Sequence, residues 1–258
     1  MKTQQIIYWS KPHILGKESI KVKTAIDTTW ISGGKYIQIF ENKLSKYLKK
    51  KYSFLVSNGT AALHLAFLAL DLKKNDEIII PGFGYMAAAN LAKLMNLKIK
   101  FSDIDKETFV TNLESLKKKI SKKTKAVIYT QMNGRNGQIK EILKICKKNN
   151  VYLIEDAAHA IGTFINKKHA GNYGIASSFS FSMPKLITMG QGGAVITNNK
   201  LLSRKLRLYK NFGRKISGND IHNTLGYNFK ITDMQSILGI EQLRDINERI
   251  KKKKEIFK

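Results

Sequence analysis

Short apolar segments alternate with helical patterns from about residue 50 onward, and this alternation constrains the fold more than any other feature. Alternating strands and helices are typical of an α/β domain built on a largely parallel sheet. Ligands of such domains collect at the edge where the strands have their carboxyl ends. We predict strands at residues 77–80, 98–102, 126–129, 151–154, 178–182 and 194–197, and helices at 61–70, 87–94, 113–120, 139–148 and 233–258.

The chain is strongly basic, with 46 Lys and Arg against 19 Asp and Glu and a formal net charge of +27. Such an excess is found in proteins that bind nucleic acids. Only six of the basic residues are arginine, which is the residue favoured for bidentate contacts with bases. The lysines are spread over several predicted helices, so we favour solvated helix surfaces and expect no nucleic-acid partner. An anionic substrate would also be attracted by this charge.

The chain has a single cysteine, Cys146, which lies in an amphipathic run and is expected to fill the core. One thiol forms no internal disulfide, which fits a reducing compartment. The first six residues lack the apolar stretch of a signal peptide. No apolar run approaches the roughly 18 residues that a membrane span needs. We therefore expect a cytoplasmic protein without a membrane span.

A turn of small residues runs directly into a predicted helix at Ser57-Asn58-Gly59-Thr60-Ala61. Free N–H groups and the helix dipole at such a position favour a phosphate group, and the Thr60 hydroxyl can add a further donor. An ordinary N-cap turn would have the same sequence, and this segment alone favours that interpretation.

Three further segments place reactive or aromatic side chains near predicted strand ends. A buried strand ends at Asp156, where a carboxylate can pair with a protonated pyridine nitrogen, and His159 follows three residues later. A second strand leads to Lys185, in a stretch low in charge, where desolvation would lower the pKa of an amine that forms a Schiff base. Tyr85 follows Pro81-Gly82 and can stack on a planar group. The alternatives are a helix-capping Asp, a surface Lys and a core aromatic residue.

Together these segments resemble one family of enzymes. The order of phosphate turn, aromatic residue, strand-end Asp, Ser-Phe-x-x-x-Lys at 180–185 and Gly-x-Gly-Gly at 190–193 is similar to fold-type I enzymes that use pyridoxal phosphate (PLP). More narrowly, the chain resembles the DegT-type (DegT/StrS) sugar aminotransferases. The likeness extends almost from end to end through residues 30–34, 40–41, 103–105, 225–235, 239 and 242–243.

The resemblance implies an α/β fold of the fold-type I kind, with a mostly parallel seven-stranded sheet flanked by helices. It implies that Lys185 holds the cofactor covalently and moves the proton, and that Asp156 keeps the pyridine nitrogen protonated. No metal is implied. The remaining cofactor contacts would come from Gly59, Thr60, Ala61, Tyr85, His159, Ser180 and, across the interface of a homodimer with shared active sites, Asn228.

The family likeness also implies a domain division. Residues 1–35 would form an N-terminal segment, 36–232 the PLP-binding large domain, and 233–258 the start of a long helix. In relatives that helix leads to a small C-terminal domain, which we expect this chain to lack. Gly84 and Lys230 depart from the family, which often has a hydroxyl residue and an arginine at these positions. A lysine at 230 loses the fork geometry of arginine.

The implied reaction transfers an amino group from glutamate to a nucleotide-linked 4-keto-6-deoxy sugar, for cell-surface polysaccharide or aminosugar biosynthesis. Three alternatives remain at this point. The chain could be a non-catalytic PLP-binding fragment, one half of a split enzyme, or a nucleic-acid binder. A related deoxysugar dehydratase is disfavoured because it carries histidine in place of the lysine.

Overall fold

A single mixed sheet of seven strands organises the protein in the computed structural model, which describes residues 10–14, 16–216 and 218–257. The strand order is β1-β9-β8-β5-β4-β2-β3. Strand β9 is antiparallel to both of its neighbours, and all other adjacent pairs are parallel. The strands are β1 Tyr52–Val56, β2 Glu77–Pro81, β3 Lys98–Ser102, β4 Thr124–Thr130, β5 Tyr152–Asp156, β8 Ala176–Ser180 and β9 Gly193–Thr197; β6 Phe164–Ile165 and β7 Lys168–His169 form a separate hairpin.

Helices cover both faces of this sheet, which gives three layers. Successive strand residues point to opposite faces, so Ile78 and Ile80 pack with α3 and α4 while Ile79 packs with α5 and α6. The predicted α/β class and the mostly parallel seven-stranded sheet are therefore confirmed. The helices are α1 Lys17–Asp27, α2 Lys35–Leu48, α3 Gly59–Ala69, α4 Ala87–Leu94, α5 Leu113–Lys119, α6 Ile139–Lys148, α7 Lys200–Lys210, α8 Asp233–Arg244 and α9 Ile246–Phe257.

The prediction of one continuous helix over residues 233–258 is wrong. Helix α8 begins with a capping box between Thr232 and Gln235 and ends at Arg244. Asp245 is its C-cap residue, and α9 begins at the next residue. Aspartate is a weak helix former because its short side chain competes for backbone hydrogen bonds. The break keeps Ile246 buried and lets Arg249 donate to the backbone oxygen of His13 at 2.8 Å.

The N-terminal segment is attached to this C-terminal pair of helices. Gln242 of α8 donates to the Glu18 carboxylate of α1 at 2.6 Å, and Arg249 lies 3.5 Å from the same oxygen. Residues 1–9 of the predicted 1–35 segment lie outside the described residues. The division at 35/36 and 232/233 stays a prediction, although α2 and α8 begin beside those boundaries. No helix in the described part of the chain has the length and apolar character to cross a bilayer.

Candidate active site

The positions of two predicted site residues are determined by where their strands end. Thr130 pairs with Asp156 and Asp156 pairs with Ser178 across three parallel strands. Ser180, two residues further along β8, pairs with Gly193 of β9. Since parallel strands have their carboxyl ends at one edge, Asp156 and Ser180 reach the same edge of the sheet, where ligands of α/β domains bind.

Asp156 is a buried carboxylate with few polar neighbours. Asp156 is 8% exposed, and its Oδ1 accepts a hydrogen bond from the Ala158 N–H at 3.2 Å. Burial raises the pKa of Asp156, while that hydrogen bond, the charge of Lys185 and the Ser178 hydroxyl partly oppose the rise. A buried carboxylate of this kind gains stability from a cation placed next to it.

Lys185 lies in a tight turn that follows β8. The Lys185 N–H donates to Ser182 O at 3.0 Å, and the Met189 N–H returns to Phe181 O at 2.8 Å. Burial lowers the pKa of the Lys185 ammonium, and the Asp156 charge partly restores it. The two groups therefore interact electrostatically. A lowered pKa increases the fraction of neutral amine, which is the nucleophilic form.

A cavity of about 790 Å³ opens at Lys185. His159 lines it, with a pKa lowered by burial and by the charge of Lys185, and its Nδ1 accepts from the Asn133 N–H at 3.4 Å. Helix α9 supplies Lys253 and Lys254 to the same cavity. The cavity therefore brings together a reactive amine, an imidazole and two further cations.

The turn predicted to bind phosphate does form the N-terminus of α3. Asn58 is its N-cap, and its Oδ1 accepts from the Ala61 N–H at 2.8 Å. The Ala61 N–H therefore already has a partner, and the predicted contact of Ala61 with a phosphate requires Asn58 to release it. Gly59 and Thr60 are the first two residues of the helix, where N–H groups favour an anion.

Two glycines allow the phosphate turn to approach the end of the sheet. A Cβ on Gly59 would lie 2.8 Å from the Ser180 Cβ, and one on Gly193 would overlap the Asn58 carbonyl and lie 2.8 Å from Gly59 N. The predicted phosphate contacts Gly59, Thr60 and Ser180 are thus neighbours in the structure.

Gly193→Ala is expected to lower the free energy of unfolding by about 1–3 kcal/mol, because the added methyl displaces the peptide between Asn58 and Gly59. It should also weaken retention of a phosphate-bearing cofactor. Gly84→Ala is the matched control, since its Cβ meets Thr130 atoms at an ordinary 3.7 Å. Denaturant unfolding and dialysis of the loaded protein measure both effects. Equal losses in the two variants would show that close packing at Gly193 is not the cause.

Two predicted contacts remain open. Tyr85 lies on the loop after β2 and is 77% exposed, so stacking on a cofactor ring stays a prediction.

Asn228 is exposed and its Oδ1 accepts from the Lys230 N–H at 3.3 Å, so its contact with a partner subunit also stays a prediction. Asn228 is close in sequence to Phe229, whose carbonyl accepts from the Ser57 N–H at 3.0 Å beside the phosphate turn.

One buried carboxylate next to the site was missed by the sequence analysis. Glu155 accepts hydrogen bonds from the N–H groups of Gly171, Tyr173 and Gly174 at 2.6–2.7 Å and from the side chain of Gln131 at 2.9 Å. Burial raises the pKa of Glu155, and the three N–H donors oppose the rise. The sequence did contain a signal for this carboxylate, since an acidic residue inside an apolar strand needs hydrogen-bond donors when it is buried. Nothing in the sequence identified its partners.

Comparisons with known proteins agree on one family. The DegT/DnrJ/EryC1/StrS aminotransferase family model matches residues 13–258. GDP-perosamine synthase of Escherichia coli O157:H7 is 38% identical over 247 residues, which are 95% of this chain and 68% of that protein. The aminotransferase from Psychrobacter cryohalolentis superposes with a TM-score of 0.89 at 28% identity, covering 94% of this chain and 65% of that one.

A third relative was solved with a ligand in place. GDP-4-keto-6-deoxymannose-3-dehydratase with a trapped PLP-glutamate geminal diamine has a TM-score of 0.87 at 27% identity, covering 94% of this chain and 69% of that one. In each of these comparisons the chain spans about two thirds of the relative's length.

Proposed function

Because the chain belongs to the DegT/DnrJ/EryC1/StrS aminotransferase family, we propose that it transfers an amino group from glutamate to a nucleotide-linked 4-keto-6-deoxy sugar. The observation that carries the proposal is the placement of Asp156 at the end of β5 and Lys185 in the turn after the neighbouring strand β8, where Lys185 lines one large cavity. A GDP-linked sugar is the first choice of substrate, since the relatives above include a GDP-perosamine synthase and a GDP-4-keto-6-deoxymannose-3-dehydratase.

Pyridoxal phosphate is the cofactor of this family, and the described residues fit it at three points. Asp156 offers a buried carboxylate for the ring nitrogen, Lys185 offers a half-buried amine for the aldehyde, and the start of α3 offers N–H groups and the Thr60 hydroxyl for the phosphate. Each group has the charge that its part of the cofactor requires.

Bound pyridoxal phosphate supplies an electron sink beside the nitrogen that is transferred. The chain supplies the charges and the proton transfer. Asp156, as a carboxylate, would hold a proton on the ring nitrogen, and the positive charge there would offset the burial that raises the pKa of Asp156. Lys185 Nζ would take the proton from the donor carbon and pass it to C4′ of the bound cofactor, and in the second half-reaction it would carry the proton from C4′ to the keto-sugar carbon. Its lowered pKa leaves more of it neutral for the first of these transfers. His159 lies in the same cavity, positioned by the Asn133 N–H.

The cavity also suits an anionic sugar nucleotide. Lys253 and Lys254 bring two positive charges to the lining that contains Lys185 and His159. Such cations can bind the diphosphate of a nucleotide sugar as point charges. The remaining binding surface, a homodimer with shared sites and a cytoplasmic location stay predictions.

Lys253→Glu is expected to raise the KM for the nucleotide sugar about tenfold, since a charge-assisted contact to phosphate is replaced by repulsion. The KM for glutamate should change much less, because glutamate has no diphosphate for Lys253 to bind. Lys252→Glu is the matched control, as it adds the same charge to α9 outside the cavity lining. Steady-state kinetics with each substrate separate the two effects. A tenfold rise in both variants would assign the effect to the general field of the helix.

A direct test of the proposed function follows the two halves of the reaction. Cofactor-loaded protein is mixed with glutamate, and formation of 2-oxoglutarate is measured; GDP-4-keto-6-deoxymannose is then added, and the GDP-linked amino sugar is sought by mass spectrometry. The proposal expects both products. Cofactor binding without 2-oxoglutarate would instead support a non-catalytic PLP-binding fragment. A product that has lost water without gaining nitrogen would indicate a dehydratase, which we disfavour because Lys185 is a lysine.

A further inference from the structure

A second cavity, of about 420 Å³, lies along the outer edge of β1. Helices α2 and α7, the start of β1 and the segment after α7 line it. It shares no lining residue with the Lys185 cavity. Six of its lining residues are cationic: Lys51, Arg207, Lys210, Arg214, Lys215 and Lys230.

Glu41 is the one carboxylate among the described residues that line this cavity, and it already has hydrogen-bond partners. Glu41 Oε1 accepts from the Leu55 N–H at 2.8 Å and from Lys210 Nζ at 2.8 Å. The other five cations therefore have no carboxylate partner among the described residues that line the cavity. Like charges that line one cavity repel each other, and an anion bound between them would relieve that repulsion.

Aromatic rings lie beside several of these cations. Arg207 and Lys210 lie 6.0 and 5.8 Å from the Phe54 ring, and Arg214 and Lys230 lie 5.3 and 4.9 Å from the Phe212 ring. A cation–π contact uses the face of the ring and leaves N–H groups available for hydrogen bonds. The cavity therefore presents cations that are fixed in position and still able to donate.

Arg214 provides the second, independent sign of a missing ligand. Its side chain is 15% exposed, and its Nε is buried without a hydrogen-bond partner among the described residues. One terminal nitrogen donates to Asn211 at 3.2 Å, and the other lies 3.7 Å from the exposed Asp220. Among the described residues the guanidinium therefore has a single hydrogen bond, to Asn211, and its other terminal nitrogen has an N–H group that it can donate to an anion in the cavity.

We propose that the β1-edge cavity binds a small phosphorylated molecule through its phosphate or diphosphate group. Arg207 and Arg214 offer guanidinium N–H groups to phosphate oxygens, and lysines 51, 215 and 230 add charge. The volume of about 420 Å³ suits a small metabolite. This site does not depend on the proposed amino transfer, because none of its residues lines the cavity at Lys185.

Pyrophosphate titration of cofactor-loaded protein tests the proposal, since loading occupies the phosphate turn at the start of α3. Calorimetry on the Lys253→Glu background, in which the proposed diphosphate contact of the Lys185 cavity is reversed, should give one pyrophosphate per chain. Arg207→Gln should weaken binding about tenfold or more, because a charge-assisted pair of hydrogen bonds is lost. Lys215→Gln should weaken it in the same direction.

Arg204→Gln is the matched control, because Arg204 is an exposed arginine one turn before Arg207 on α7 and does not line the cavity. Its pyrophosphate affinity should stay within about twofold of the parent, as expected when only distant charge changes. Asp156→Asn, which still captures the cofactor, should also leave the affinity unchanged, which separates this site from amino transfer. Absence of pyrophosphate binding, or equal weakening by Arg204→Gln and Arg207→Gln, would overturn the proposal.

Discussion

Lys185→Ala is expected to reduce kcat/KM for amino transfer by roughly ten-thousand-fold, because proton transfer by a positioned side chain contributes up to about 10⁴ and is lost here together with covalent attachment of the cofactor. Thermal stability should change little or rise, because burial of Lys185 already disfavours its charged form. Coupled assays of 2-oxoglutarate formation measure the loss, and calorimetry confirms folding.

The control for this substitution is Lys200→Ala, which removes an exposed lysine outside the Lys185 cavity. Full activity is expected in that variant. Lys185→Arg adds a second check, since it keeps the positive charge and removes the neutral amine. If Lys185→Ala or Lys185→Arg kept a tenth of the parent activity, Lys185 Nζ would not be the group that moves the proton.

Asp156→Asn is expected to lower kcat for amino transfer by about 100-fold or more, because a neutral amide no longer stabilises positive charge at the ring nitrogen. The substitution keeps the size of the side chain and an oxygen that can accept from the Ala158 N–H. Covalent capture of pyridoxal phosphate should therefore persist. The loss is expected in turnover and not in cofactor retention.

The same variant has a second expected signature in its pH dependence. The Asp156 charge raises the pKa of Lys185 against the larger effect of burial, so its removal lowers that pKa further. Since the neutral amine reacts with the aldehyde, the midpoint of cofactor capture by apo-protein should move to lower pH. Capture rates across pH measure the shift, with Asp27→Asn on the exposed face of α1 as control. A shift to higher pH would contradict the interaction between Lys185 and Asp156.

Much of the sheet and part of the site could be predicted from the sequence because their signals are local. Helices α4 and α6 were predicted to the residue, since their apolar spacing is regular. Asp156 was recognisable because a carboxylate ended an apolar strand, and Gly59 because small residues preceded a helix. In each case the informative residues lie within one turn or strand of one another.

The remaining features depend on contacts between distant segments. Lys253 and Lys254 reach the Lys185 cavity from α9, which Asp245 separates from α8 where the sequence predicted one continuous helix. Asn133 contacts His159 from a left-handed backbone position that its sequence does not reveal. The cations of the β1-edge cavity come from segments more than 150 residues apart, so their sequence showed only a general basic charge.

The most direct test of the assignment is to identify the lysine that carries the cofactor. Protein incubated with pyridoxal phosphate is treated with borohydride, digested, and analysed by mass spectrometry. The expected result is one stoichiometric label on the peptide that contains Lys185, lost in Lys185→Ala and retained in Asp156→Asn. A label spread over the surface lysines, or concentrated on a lysine outside the 790 Å³ cavity, would contradict it.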